Sequence, residues 1–172
     1  LITKNIKILL LIFLNSSIAN AQGFLACDVP LQKNNNFHIE NSINFEADNI
    51  FVGRGTDSTT ELIGNVRIIG ADSITSSENA TYNQSTESLT LEGGVNFEQN
   101  NVSVNSEIAN FSYLTETFSF SNASFVLNNN NSRGDAENIQ INSDGVLNLN
   151  NVSYTTCPVT DNGWLIRADQ IT

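Results

Sequence analysis

One pattern recurs four times along this chain and limits its fold more than any other feature. Asn65-Val66-Arg67-Ile68, Gly94-Val95-Asn96-Phe97, Asn122-Ala123-Ser124-Phe125 and Asn151-Val152-Ser153-Tyr154 follow one another at offsets of 29, 28 and 29 residues. A second series runs between them: Ala47, Ala80, Ala109, Ala136 and Ala168 each stand beside an acidic residue or Asn, close to an apolar strand-like segment. Each unit is therefore a pair of strands with turns. A single strand pair cannot bury its own apolar face, so neighbouring units must stack or fold over each other.

The strand assignment rests on period two. Val102-Ser103-Val104, Phe111-Ser112-Tyr113, Phe118-Ser119-Phe120, Phe125-Val126-Leu127, Ile139-Gln140-Ile141 and Leu147-Asn148-Leu149 all place large residues at i and i+2, the spacing of a half-buried strand. Beyond the N-terminal segment no i, i+3, i+4, i+7 stripe occurs, and Ser, Asn and β-branched residues disfavour helix. Two architectures satisfy the repeat: a jelly-roll sandwich of antiparallel strands or a parallel β-helix. A unit of about 29 residues accommodates two strands of six to eight residues with turns. Glu92-Gly93-Gly94, Arg54-Gly55 and Asp144-Gly145 supply hairpin or corner signals. The expectation is an all-β fold, an open antiparallel β-jelly-roll sandwich built from tandem strand-pair repeats.

The N-terminus has a different character. Lys4 and Lys7 flank or interrupt an apolar run from Ile6 to Leu14, and Ala19-Asn20-Ala21 provides the small residues of a signal-peptidase site. The run stops at Asn15-Ser16-Ser17, short of the roughly 20 apolar residues of a membrane anchor. Residues 1–21 are thus expected to be a cleaved secretory signal, 22–43 a flexible Asn-rich linker, and 44–172 the β domain. The chain carries 18 acidic and 7 basic residues, a net charge of −11. Removal of residues 1–21 takes two lysines and no acid, leaving 5 against 18, or −13. Such an excess repels phosphate backbones, which excludes nucleic acid as a partner.

Export also decides how Cys27 and Cys157 are read. In an oxidising compartment thiols form disulfides, whereas a zinc site needs four ligands and the single histidine is His38. The two cysteines either bond each other, closing a loop that the chain-entropy model values at about 5 kcal/mol, or each pairs with a cysteine outside this chain. No metal site and no cofactor is expected.

No catalytic constellation is legible. His38 falls in the linker and has the context of a solvated surface residue. Glu46 with Asp48, and Asp135 with Glu137, have the spacing of paired carboxylates on one strand face, a pattern that solvated faces share. Asp144 lacks a full calcium-loop pattern, and Gly53-Arg54-Gly55 lacks the third glycine of a nucleotide fingerprint. The inward apolar positions stand out instead: Val66, Ile68, Leu89, Leu91, Val95, Phe97, Phe111, Phe118, Phe120, Phe125 and Leu127 form a row that continues from unit to unit. They form either an ordinary sandwich core or a groove between incompletely closed sheets. A groove would shelter acyl chains at about 0.8 kcal/mol per buried methylene.

Leu62-Ile63-Gly64-Asn65-Val66 with Ala80-Thr81-Tyr82-Asn83, its copy Leu91-Glu92-Gly93-Gly94-Val95-Asn96-Phe97, the Arg133-Gly134-Asp135-Ala136 step, and Val152-Ser153-Tyr154-Thr155-Thr156-Cys157-Pro158 leading to Trp164 and Ala168 carry a family resemblance. From about Asn44 to Thr172, with Cys27 added, the chain resembles the N-terminal periplasmic domain of the LptD family, within the OstA-like group that also includes LptA-type bridge proteins. The resemblance implies transport without catalysis: lipopolysaccharide arrives along a bridge of jelly rolls joined by edge-strand pairing and passes to an outer-membrane β-barrel. It implies as partners lipopolysaccharide acyl chains, an LptA-type bridge protein, and a C-terminal barrel of the same protein with its lipoprotein plug. It also implies that Cys27 and Cys157 bond a cysteine pair near the end of that barrel. On this reading the chain is truncated at its C-terminus and works in the periplasm at the outer membrane. An LptA-like bridge protein and a secreted Asn-rich β-helix adhesin are the alternatives.

Overall fold

The computed structural model describes residues 43–53, 58–160 and 163–172. The expected signal peptide, nearly all of the expected linker with Cys27 and His38, and the Arg54-Gly55 turn lie outside the described residues. Ten strands follow in chain order: β1 (Asn44–Glu46), β2 (Asn49–Val52), β3 (Thr59–Ile69), β4 (Ser73–Asn83), β5 (Ser88–Gln99), β6 (Val102–Ser112), β7 (Thr117–Leu127), β8 (Ser132–Asn142), β9 (Leu147–Thr155) and β10 (Ile166–Ile171). They form one sheet in which β3 to β10 pair in sequence order, while β1 and β2 both pair with β3. Every pairing is antiparallel, which sets aside the parallel β-helix.

The strands are longer than the six to eight residues expected, because each repeat pair is two strands of mostly eleven residues, bent at the middle. The bend is visible in which residues are buried. In β6, Val104 and Ser106 are buried, then Ala109; in β7, Phe120, then Ala123 and Phe125; in β9, Leu149, then Val152. Within each half the step is two, and at the middle it is three. A regular strand would turn its second half outward after such a step, so the backbone must kink to keep both halves facing the same interior. The register shifts lie at the same place in β3–β4, β4–β5 and β5–β6.

Left-handed residues make the kink. Gly64 and Asn65 in β3, Gly93 and Gly94 in β5, Asn122 in β7 and Asn151 in β9 all have positive φ, a conformation that Gly and Asn reach most readily. Glu92-Gly93-Gly94 is accordingly a mid-strand corner and not a hairpin. A small residue and an acid stand at the same corner in between: Ala47-Asp48 just before β2, Ser77-Glu78 in β4, Ser106-Glu107 in β6, Ala136-Glu137 in β8 and Ala168-Asp169 in β10. Three of these acids lie against a left-handed residue of the following long strand, Asp48 against Gly64, Glu78 against Gly93 and Glu137 against Asn151. Asn65 Nδ2 donates to Asp48 at 2.9 Å, and Asn151 Nδ2 donates to the Glu137 carboxylate. Buried Ser77 and Ser106 donate to the carbonyls of Asn79 and Ile108, at 2.9 and 3.0 Å, which satisfies both hydroxyls at the bend.

The corners align and fold the sheet over itself into two layers. In register, Phe97 neighbours Val104 and then Phe125, whereas Phe118 stands seven residues from Phe125 along β7, about 23 Å in a straight strand. Their rings nevertheless lie 4.7 Å apart. The expected jelly-roll sandwich is therefore present, built from one folded sheet and not from two separate ones.

Candidate functional site

All eleven residues singled out as the inward apolar row belong to or pack on the interior between the layers. Val66, Leu89, Leu91, Val95, Phe97, Phe120 and Phe125 are buried, and Ile68, Phe111, Phe118 and Leu127 are partly buried against them. Two cross-strand rows hold five of them. In one half of the folded sheet Leu62, Ala80, Leu91, Ala109, Phe120, Ile139 and Leu149 are successive register partners; in the other, Ile68, Thr75, Phe97, Val104, Phe125, Gly134 and Tyr154 are. From Leu62 to Phe120 in the first row and from Phe125 to Tyr154 in the second, large residues alternate with small ones, a pattern that lets facing side chains interdigitate. Gly134 is the extreme case: a Cβ there would stand 2.9 Å from the Phe125 ring and 1.8 Å from the Ser153 carbonyl oxygen.

Aromatic rings crowd one end of this interior. Phe97 contacts Phe118 and Phe120 at 4.7 and 5.3 Å, Phe111 contacts Phe118 at 4.4 Å and Tyr113 at 4.7 Å, and Tyr113 meets Tyr82 edge-on at 5.6 Å. Burial raises the Tyr113 phenol above its ordinary pKa, and the neighbouring Tyr82 adds to the rise.

The rows do not end where the packing ends. At the β1/β2 edge, Phe45 pairs with Ile68, Ile50 with Leu62 and Val52 with Thr60, yet these three are 45%, 53% and 69% exposed. At the other edge Ile166, the partner of Tyr154, is 51% exposed. The interior is thus filled in the middle and apolar and open at both lateral edges. These edge residues were missed in the sequence because Phe45 and Ile50 sit on strands too short for period two to show.

The candidate carboxylate pairs do not form sites. Glu46 ends β1 and is paired with Arg67 at 2.9 Å, while Asp48 lies in the break before β2 and accepts from Asn65. Asp135 and Glu137 are both on the exposed face of β8. Among the described residues no group of three or more His, Cys, Asp and Glu could hold a metal ion. Cys157 is 1% exposed and disulfide-bonded.

No family model matches the chain. Curated proteins do. The chain is 29% identical over 116 residues to the LPS-assembly protein LptD of Pseudoalteromonas atlantica, which is 67% of this chain and 15% of that protein. It is 35% identical over 112 residues, 64% of this chain and 13% of the relative, to LptD of Saccharophagus degradans. LptD of Aliivibrio fischeri matches at 23% over 146 residues, 85% of this chain and 18% of its own length. The chain therefore spans less than a fifth of the length of these relatives. Among solved structures, LptH of Pseudomonas aeruginosa, described as the LptA homologous periplasmic component of the lipopolysaccharide transport device, superposes with a TM-score of 0.55. That match has 10% identity and covers 74% of this chain and 94% of that one. The fold is that of the LptA-like jelly roll.

Proposed function

We propose that this chain, a sequence relative of the LPS-assembly proteins LptD, is a periplasmic domain that receives lipopolysaccharide and passes it on for assembly into the outer membrane of a Gram-negative cell. Its role is carriage, with the two layers parting at their filled middle to lodge the acyl chains past Ile68, Leu91, Phe97, Phe111, Phe120 and Phe125. The β1/β2 edge takes an LptA-type bridge protein by strand pairing, and the β10 edge leads toward the barrel of the longer protein. The observation that supports this reading most directly is the continuation of buried rows into exposed Phe45, Ile50, Val52 and Ile166 at the two edges. A domain exposing the ends of its own apolar rows offers a lipid apolar surface at which to enter and leave.

The charge of the chain suits acyl chains better than phosphates. Among the described residues the cations are Arg67, Arg133 and Arg167, and Arg67 and Arg133 are engaged with Glu46 and with backbone carbonyls. Affinity must come from burial of methylenes. Photo-crosslinking tests the path in cells. A photoreactive amino acid at Phe97 or Phe120 is expected to trap lipopolysaccharide, and one at the outward neighbours Asn96 or Ser119 is not. Equal trapping from both faces, or none from the inward face of a folded domain, would return the interior to plain core packing.

A further inference from the structure

Two sequence motifs that the lipid path does not use meet at the end of the β8–β9 hairpin. One is the Arg133-Gly134 step of β8, the other the Thr155-Thr156-Cys157-Pro158 segment that leaves β9. Arg133 Nε donates to the Cys157 carbonyl at 2.8 Å, and its Nη2 donates to the Pro158 carbonyl at 3.1 Å. One guanidinium thus grips two successive peptide units, and one of them is the cysteine's own. In a chain with 18 acids, this half-buried cation makes both bonds to backbone oxygens.

The same segment is held from its other side. The Cys157 N–H donates to Thr155 Oγ1 at 3.1 Å, and that hydroxyl donates to the Trp164 carbonyl at 2.7 Å, so the loop returns to its starting point. The Trp164 ring lies 6.0 Å from Tyr154, whose hydroxyl is 2.7 Å from that of fully buried Ser132. Gly134 explains how Arg133 comes within reach. Any side chain at that position would meet the Ser153 carbonyl, so glycine lets β8 lie close against β9, the strand that leads into the cysteine segment.

We propose that Arg133 is the positioning residue of the Cys157 disulfide: its two-pronged grip keeps Cys157 buried in the oxidised arrangement and thereby sets how readily that disulfide is reduced. The proposal holds for whichever cysteine Cys157 is joined to. Reduction by a dithiol is a pair of exchanges. A thiolate of the dithiol attacks one sulfur and expels the other as thiolate; the second thiolate of the reagent then displaces the first protein sulfur and closes a cyclic disulfide, so two electrons pass to the protein. Reduction frees the Cys157 segment to leave that arrangement and gives up the grip, so the two charge-assisted hydrogen bonds weigh the exchange equilibrium toward the disulfide. Lysine cannot replace the grip, because an ammonium is a point donor and the guanidinium is a planar fork.

The test uses the full-length protein, equilibrated in graded ratios of reduced to oxidised dithiothreitol, with the state of Cys157 read by alkylation and mass spectrometry. Arg133→Gln is expected to reach half-reduction at roughly tenfold lower reducing ratio, the size of effect that loss of charge-assisted hydrogen bonds gives. Arg133→Lys should fall between Gln and the parent, and it decides the matter if the Gln variant does not fold. Ser132→Ala, which loosens the same corner without touching the two carbonyls, should titrate like the parent. The proposal is overturned by a folded Arg133→Gln protein with parental resistance, by a parental Arg133→Lys, or by a Ser132→Ala shift as large as that of Arg133→Gln.

Discussion

The rings of Phe97 and Phe118 touch, 4.7 Å between centroids, although the sheet's own hydrogen bonding separates them by two strands and by more than half a strand length. That contact is the seam of the molecule. It exists because every long strand kinks at its middle, so the residue on the far half of β5 faces the near half of β7 across the interior. The same seam marks where a lipid would have to lie, since the partly buried Phe111, Phe118 and Tyr113 lead from it to one end of the fold.

The seam predicts a sharp asymmetry between faces. Phe97→Ala removes a ring that is 1% exposed and is expected to lower stability by about 3–5 kcal/mol, whereas Asn96→Ala, one residue away on the outer face, should stay within about 0.5 kcal/mol. Phe97→Asp should prevent folding, because the closed middle of the interior offers a carboxylate neither water nor a partner. Urea denaturation followed by circular dichroism distinguishes these outcomes, and a stable, folded Phe97→Asp protein would show that the interior is wet.

The corner predicts a difference between two adjacent glycines. Gly93 and Gly94 both have positive φ, but a Cβ on Gly93 would stand 2.7 Å from the Cβ of Glu78, while one on Gly94 meets nothing within 4 Å. Gly94→Ala should therefore cost only the left-handed strain of about 1 kcal/mol. Gly93→Ala adds the clash and should cost about 2–3 kcal/mol. Because the contact is with the Glu78 Cβ, Glu78→Ala should not relieve it. Chemical denaturation of the three single variants and the Gly93→Ala/Glu78→Ala pair checks this, and full rescue in the pair would contradict the geometry.

These corners also show where the sequence was transparent and where it was not. Period two made the strands legible, since Phe118-Ser119-Phe120 or Ile139-Gln140-Ile141 can bury one face in no other regular structure. The offsets near 29 residues made the tandem pairing legible. The kink was hidden: Glu92-Gly93-Gly94 has the composition of a hairpin, and only the three-dimensional arrangement shows the strand passing through it. The acid clamp was half hidden, because alanine precedes the acid in Ala47-Asp48 and Ala136-Glu137 while the equivalent place before Glu78 and Glu107 is held by Ser77 and Ser106. The open edges were hidden as well, for whether Phe45 is covered depends on how many strands lie beyond it, and no local pattern encodes that.

Gly134 predicts the most severe single-site effect. A methyl group there would lie 1.8 Å from the Ser153 oxygen and 2.9 Å from the Phe125 ring, and a Cβ has no rotamer by which to escape. Gly134→Ala should cost on the order of 4 kcal/mol or more and part β8 from β9 locally. Hydrogen exchange reads this directly: protection should fall first at residues 134–136 and 152–154, and unchanged protection there would mean the two strands can separate without loss.

The Tyr113 phenol gives the fold a dependence on alkaline pH. Burial, with a smaller contribution from Tyr82, raises its pKa above the ordinary 10.0, so the folded state holds the neutral phenol more firmly than the unfolded chain does. Below pH 10 both states are neutral and Tyr113 contributes no slope. As pH rises past 10 the unfolded chain ionises first, and stability falls until the folded phenol ionises too. The sign is thus a loss of stability with rising pH, confined to the window that begins at the unfolded pKa. Tyr113→Phe keeps the ring against Phe111 and Tyr82 and removes the ionisation. Melting temperatures measured from pH 8 to 11 should fall less steeply above pH 10 for Tyr113→Phe than for the parent, while the two curves run parallel below it. Identical slopes across the whole range would mean that the hydroxyl stays solvated in the fold and that burial at the aromatic end is looser than the ring contacts indicate.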